Sequence, residues 1–186
     1  MVTENLSRAF RSTRQILANV TPEQLDSPTP CASWTVRDLV NHIVGGASWF
    51  GASTEAGESV DPSSTDWTEG DMVAAFDEGV ARAVAAFDAP GAQEKILTLP
   101  FGEFPGAAFM GLATTDTFTH GWDLAKATGQ PTDLDPELAE QLLEGARLMV
   151  GEGFRGDEPM PFGPEAQPAP DASAADKLAA FLGRQA

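Results

Sequence analysis

The sequence is poor in cationic side chains. Its 186 residues carry 11 Lys and Arg against 28 Asp and Glu, a formal net charge of −17 and a pI near 4.2. From Asp38 to Ala81 there are nine acidic residues and no Lys or Arg. Neutralising a phosphate backbone takes clustered cations, so nucleic acid is not an expected partner. Attraction to an anionic membrane surface fails for the same reason. Cysteine is almost absent: Cys31 alone cannot close an internal disulfide, so stability must come from packing or a bound ligand, and nothing calls for an oxidising compartment. Long apolar runs are missing too. No stretch approaches the roughly 18 uninterrupted apolar residues of a membrane span, and the opening MVTENLSRAF has an acid at Glu4 and no apolar targeting core. A cytoplasmic protein is expected.

With 42% hydrophobic and 21% charged residues, the composition is that of a globular protein. A chain of this length buries roughly 70% of its unfolded surface in one core, so one domain over residues 1–186 is the expectation. Apolar residues recur at helical spacing. Leu6, Ala9, Phe10, Thr13, Ile16, Leu17 and Val20 form a first stripe, and Thr21-Pro22-Glu23-Gln24 begins a short turn with proline at its first position. The second helix has the clearest start: Thr35 and Asp38 have capping-box spacing, Trp34 and Leu39 stand where a hydrophobic staple would, and the apolar face continues through Val40, Ile43, Val44, Ala47 and Phe50.

After a polar link, Val73, Phe76, Val80, Ala83, Val84 and Phe87 mark a third helix that Pro90-Gly91 stops. Residues 95–104 can form at best a small hairpin. A fourth helix should run from Pro105 to Thr128 and a fifth from Asp135-Pro136, while Ser173 and Asp176 cap a last short one. Between the last two lies a Pro-rich segment, 151–172. Its length and its Phe154, Met160 and Phe162, which would rather be buried, point to an arm docked on the body. The architecture implied is all-α: four main helices as a bundle, with short accessory helices and a Pro-rich C-terminal arm.

Only two histidines are present, both in predicted helices. The core-facing stripe of the fourth helix reads Phe109, Leu112, Ala113, Asp116, His120, Leu124 and Ala127, which puts a carboxylate and an imidazole four residues apart on an apolar face. A buried, unpaired carboxylate costs several kcal/mol or shifts its pKa, so Asp116 needs a partner. His42 sits at the edge of the apolar stripe of the second helix. From spacing alone the ordinary interpretation is an i, i+4 ion pair and a hydrogen-bonded core histidine. The functional one joins all three residues as a facial metal site with open coordination positions. Cys31 precedes a helix N-terminus, where a thiolate is favoured, but with no basic neighbour it reads as a buried structural thiol. Asp123, three residues beyond His120, is open between an outer partner of that histidine, an exposed acid and a link to the arm. Trp34, Trp49 and Trp67 read as core or rim residues, and Arg37 as the partner of a nearby acid.

The segments TPCASWTVRDLVNHIVGG (29–46), TLPFGEFPG (98–106), TTDTFTHGWDLAKATGQ (114–130) and the closing ADKLAAFLGR resemble actinobacterial DinB-like metal-binding proteins, in particular the metal-binding domain of mycothiol-dependent maleylpyruvate isomerase. The elements W-x-V-R-D-L-x-x-H and D-x-x-x-H-x-W-D carry most of the likeness. The resemblance implies a four-helix bundle binding a divalent ion, zinc or nickel, through His42, Asp116 and His120. The acidic ligand in the isomerase is typically glutamate, so the shorter Asp116 would bring the ion closer to its helix. The isomerase also has a second, carboxy-terminal domain with no counterpart expected here, so isomerisation itself is not implied.

In an organism that uses mycothiol, the resemblance implies a thiol-dependent transferase whose partners are a small-molecule thiol, mycothiol as cosubstrate, and a small electrophile. The arm around Met160 and Phe162 would cover the site. The alternatives are a metal-binding stress-response or interaction module without turnover, and a metal-free structural bundle. A homodimer is left open.

Overall fold

The computed structural model describes residues 3–31, 33–156 and 162–184. It is mostly helical with one small hairpin. Helix α1 spans Glu4–Leu17, α2 Val36–Ala56 and α3 Met72–Asp88; strands β1 (Ile96–Leu99) and β2 (Gly102–Pro105) follow, then α4 (Gly106–Ala127), α5 (Pro136–Met149) and α6 (Ala174–Phe181). Short 3-10 turns occupy Pro22–Gln24, Trp67–Glu69 and Glu152–Phe154. Helices α2 and α3 pack together, as do α1 and α4, and α2 on α4 with α1 on α3 closes a cycle of neighbours around the core. The first apolar stripe is buried throughout, from Leu6 to Val20. At one end of the core Trp49, Phe50 and Phe87 meet Phe109 edge-on or tilted, with ring centroids 5.4 to 5.8 Å apart.

The expected helix starts are present in atomic detail. Thr35 Oγ1 accepts from the Asp38 backbone N–H at 3.3 Å, and the Asp38 carboxylate accepts from the Thr35 N–H at 2.9 Å, so two otherwise orphaned donors are satisfied. Ser173 and Asp176 repeat the arrangement at α6. Asp135 caps α5 and also takes the Arg8 guanidinium from α1, which fastens the fifth helix to the first. Helix α4 lies close against α1 because Gly121 has no side chain: a Cβ there would collide with Thr13, whose hydroxyl donates to the Thr117 carbonyl at 2.9 Å.

Three details differ from the sequence-based expectation. The 95–104 segment does pair, as an antiparallel hairpin with Leu97 opposite Phe104 and Thr98 opposite Glu103, so the fold is not wholly helical. Helix α4 is buried on more than the anticipated stripe: Phe118, Trp122 and Ala125 are in the core, while Leu112 is 37% exposed at the edge of the packed face. Helix α4 packs on α1 and α2 and also on α6, which gives the Trp122 indole N–H an acceptor in Asp176 at 2.8 Å. Phe154 is 55% exposed, since its segment is held through the backbone and not through its ring. Phe162 donates its N–H to the Phe154 carbonyl, Gly156 donates to that of Phe162, and the Arg155 guanidinium bonds the Gly163 and Phe181 carbonyls while lying over the Phe181 ring. The arm is thus docked on α6. Met160 lies outside the described residues.

Candidate metal centre

Two turns into α2, His42 faces α4 at the level of Asp116 and His120. Its Nε2 lies 3.4 Å from Asp116 Oδ2, and His120 Nε2 lies 3.5 Å from Asp116 Oδ1. One donor atom from each residue can be chosen so that all three fall within 4.8 Å of one another. The two imidazoles meet edge to face with ring centroids 4.6 Å apart. Despite being buried, His42 Nε2 makes no hydrogen bond, because its approach to Asp116 lacks hydrogen-bond geometry. Two imidazole nitrogens and a carboxylate converging on one point, one nitrogen without a partner, is a donor set that fits a divalent ion of the zinc or nickel type. The three residues expected from the sequence are therefore brought together.

The structure adds neighbours that the sequence left undecided. Asp123 is fully buried and is the outer partner of His120: its Oδ2 lies 3.0 Å from His120 Nδ1. A carboxylate only accepts, so the Nδ1 proton belongs to the imidazole and Nε2 is turned to Asp116. Arg184, three residues beyond the end of α6, donates to both oxygens of Asp123, at 3.2 and 3.1 Å. Cys31 is not simply packed at a helix entry, since its thiol lies 3.3 Å from Asp123 Oδ2 and 3.8 Å from His120 Nδ1. The turn that places it is closed by Thr29, whose hydroxyl accepts the Cys31 N–H and whose own N–H reaches the Trp34 carbonyl. Cys31, His120 and Asp123 form a second group with metal-ligand spacing. The guanidinium already seated on Asp123 disfavours another cation there, so His42, Asp116 and His120 are the better site.

Trp34 was expected only as a staple or rim residue. Its indole stacks on His120 with centroids 5.6 Å apart and leans over His42 at 4.9 Å, forming a wall against both imidazoles. Trp34 lies before the extended N-cap Thr35, outside α2, so no helical period links it to His42 in sequence. Arg184 closes the ADKLAAFLGR segment, but nothing in its local pattern assigned it a partner. Arg37 pairs with Asp66, as anticipated for a nearby acid.

The charges are balanced by proximity. Burial works against ionisation of Asp116, but His120 and His42 outweigh it and hold the carboxyl below its ordinary value. Burial likewise opposes charge on Asp123, and His120 and Arg184 overcome it. Burial would lower the pKa of His120, yet the Asp116 charge and the hydrogen bonds to Asp123 and Cys31 push it up to about 10. Without an ion the imidazole is a cation held between two carboxylates.

Fold and cluster together define a helical domain with a two-histidine, one-carboxylate centre between its second and fourth helices. The chain belongs to the mycothiol maleylpyruvate isomerase N-terminal domain family, whose model matches residues 6–125, a span that includes all three candidate ligands. Two uncharacterized proteins of Mycobacterium tuberculosis, MT0763 and Rv0738, are each 48% identical over 178 residues, covering 95% of this chain and 94% of the relative. The crystal structure of the mycothiol-dependent maleylpyruvate isomerase superposes with a TM-score of 0.59 at 18% identity, covering 86% of this chain and 77% of the other. A histidine-to-alanine mutant of that isomerase gives 0.55 at 16% identity over the same shares. At these identities the likeness to solved structures is one of fold. Among the described residues no helix is long and apolar enough to cross a membrane.

Proposed function

We propose that this protein holds one divalent ion, zinc or nickel, through His42, Asp116 and His120, and acts as a mycothiol-type thiol-dependent transferase on small electrophiles. In this interpretation the cycle formed by α1 to α4 is a DinB-type four-helix bundle and the chain is one functional domain, working in the cytoplasm. The observation that carries the metal assignment is the convergence of three ligand atoms within 4.8 Å with the buried Nε2 of His42 lacking a hydrogen bond. Membership of the isomerase family supports the thiol. A divalent ion in a three-ligand site has room for an exogenous group and would lower the pKa of a thiol that reaches it. The chain's own residues supply orientation. Asp123 fixes the His120 tautomer, and Trp34 closes one side of both imidazoles.

The rival interpretation, metal binding without turnover, is favoured by the state of Asp123 and Cys31. Both are engaged with each other, and Asp123 with Arg184 as well, so neither stands free as a general base. Cobalt(II) substitution separates the two. A transferase should show a sulfur-to-metal charge-transfer band with mycothiol or an analogue, lose it in His42→Ala, and consume the thiol when an electrophile is supplied. A visible spectrum indifferent to millimolar thiol would rule the transferase out. A thiol band without thiol consumption would favour the binding module.

A further inference from the structure

The arm and the last turn of the chain lie far in sequence from the metal-ligand candidates, yet they end on them. Helix α6 finishes in a left-handed residue, Gly183 at φ +90°, with the Gly183 N–H donating to the Ala180 carbonyl and the Arg184 N–H to that of Ala179. This Schellman-type reversal turns the chain back across the helix end. It is locked from outside by the arm: a Cβ on Gly183 would stand 2.6 Å from the Gly163 Cα, and Arg155 ties the Gly163 carbonyl to that of Phe181, two residues before Gly183. The next side chain, Arg184, is 14% exposed and delivers its fork to the wholly buried Asp123. Asp123 in turn holds His120 Nδ1.

The geometry points to Arg184 as a positioning residue for the metal centre, delivered by the arm-locked turn at Gly183, so that docking of the carboxy-terminal segment and metal affinity are coupled. The inference rests on the metal assignment proposed above. Removing the guanidinium would leave a buried carboxylate without its charge partner. Without the fork that fixes both of its oxygens, the Asp123 carboxylate would be free to turn, and His120 would lose the acceptor that orients its Nδ1–H. The coupling works in both directions: an ion that fixes His120 also stabilises Asp123 as the seat of Arg184. The arm described from sequence as a cover would thereby act from behind the ligands.

The test is an optical titration of the full chain with cobalt(II), together with nitrogen-15 NMR of the His120 ring in the metal-free protein. Arg184→Gln and Gly183→Ala should weaken cobalt binding about 10- to 100-fold, with Arg184→Lys in between because an ammonium keeps the charge and loses the fork. In both weakened variants the hydrogen-bonded Nδ1 proton signal of His120 should broaden or shift while helix content by circular dichroism stays at the wild-type level. Wild-type cobalt affinity and an unchanged His120 spectrum in Arg184→Gln would overturn the inference. If the glutamine variant fails to fold, an Arg184→Lys protein with wild-type affinity and an unchanged ring spectrum does so instead. A wild-type protein that binds no cobalt would refute the metal assignment, and the metal-free ring spectrum would still decide whether Arg184 positions His120.

Discussion

His120 is the residue at which the two carboxylates of the centre meet, Asp116 at Nε2 and Asp123 at Nδ1. Its pKa of about 10 in the metal-free chain lies above the ordinary histidine value of 6.5. A raised pKa means the folded state holds the proton more tightly than the unfolded one. The resulting stability is fully present below about pH 6.5 and is lost as pH rises through about 10. An ion at Nε2 must displace that proton. Metal binding at pH 7 should therefore release about one proton per ion from His120, measurable by calorimetry in buffers of different ionisation enthalpy, and affinity should fall as pH falls. Binding without proton release at pH 7 would show that His120 is not a ligand. At this scale the sequence was informative wherever polarity broke an apolar stripe: Asp116 and His120 stood out because charge on a packed face needs a partner. Asp123 stayed undecided because its partner Arg184 is 61 residues further on, and Cys31 was read as merely structural because Asp123 and His120, which its thiol approaches, are some ninety residues away; no helical period links such positions.

Among the elements, α2 and α4 carry the candidate ligands His42, Asp116 and His120, and their positions follow from local features. The capping box at Thr35 and Asp38 starts α2 seven residues before His42, and both residues were readable because capping depends on spacing within one turn. The α1–α4 approach depends instead on Gly121, adjacent to His120, and a glycine within a helix shows no partner in sequence. Gly121→Ala should destabilise the fold by about 1 to 3 kcal/mol, because Thr13 must move and its bond to the Thr117 carbonyl is strained. Urea denaturation measures this: an unchanged midpoint would mean that α1 and α4 are not in the contact described. The exposure of Leu112 has the same origin as the difficulty with Gly121. Helical period identifies a face, but which neighbour covers it, α2, α1 or α6, is a tertiary fact: Phe118 and Trp122 are buried, Trp122 with its N–H on Asp176 of α6, while Leu112 lies at the edge.

At the scale of the whole molecule, the helical class was legible from apolar residues recurring at helical spacing, and the family from the W-x-V-R-D-L-x-x-H and D-x-x-x-H-x-W-D elements, which both lie within the family match from residue 6 to 125. The arm was legible as a docked segment from its proline content and aromatic residues, but the place where it docks was not, since it is held on α6 by backbone hydrogen bonds and by Arg155 on backbone carbonyls, which side-chain patterns do not encode. The net charge of −17 surrounds a cluster that is itself balanced, two carboxylates facing His120 and Arg184, so the centre is set apart from the acidic surface. The central proposal is an ion between α2 and α4, held by His42, Asp116 and His120. The most direct measurement is elemental analysis of protein purified without chelators or a His tag, for the wild type and for His42→Ala and His120→Ala. The account predicts one divalent ion per wild-type chain and its loss from both variants while their helix content is retained; variants that keep as much metal as the wild type would contradict it.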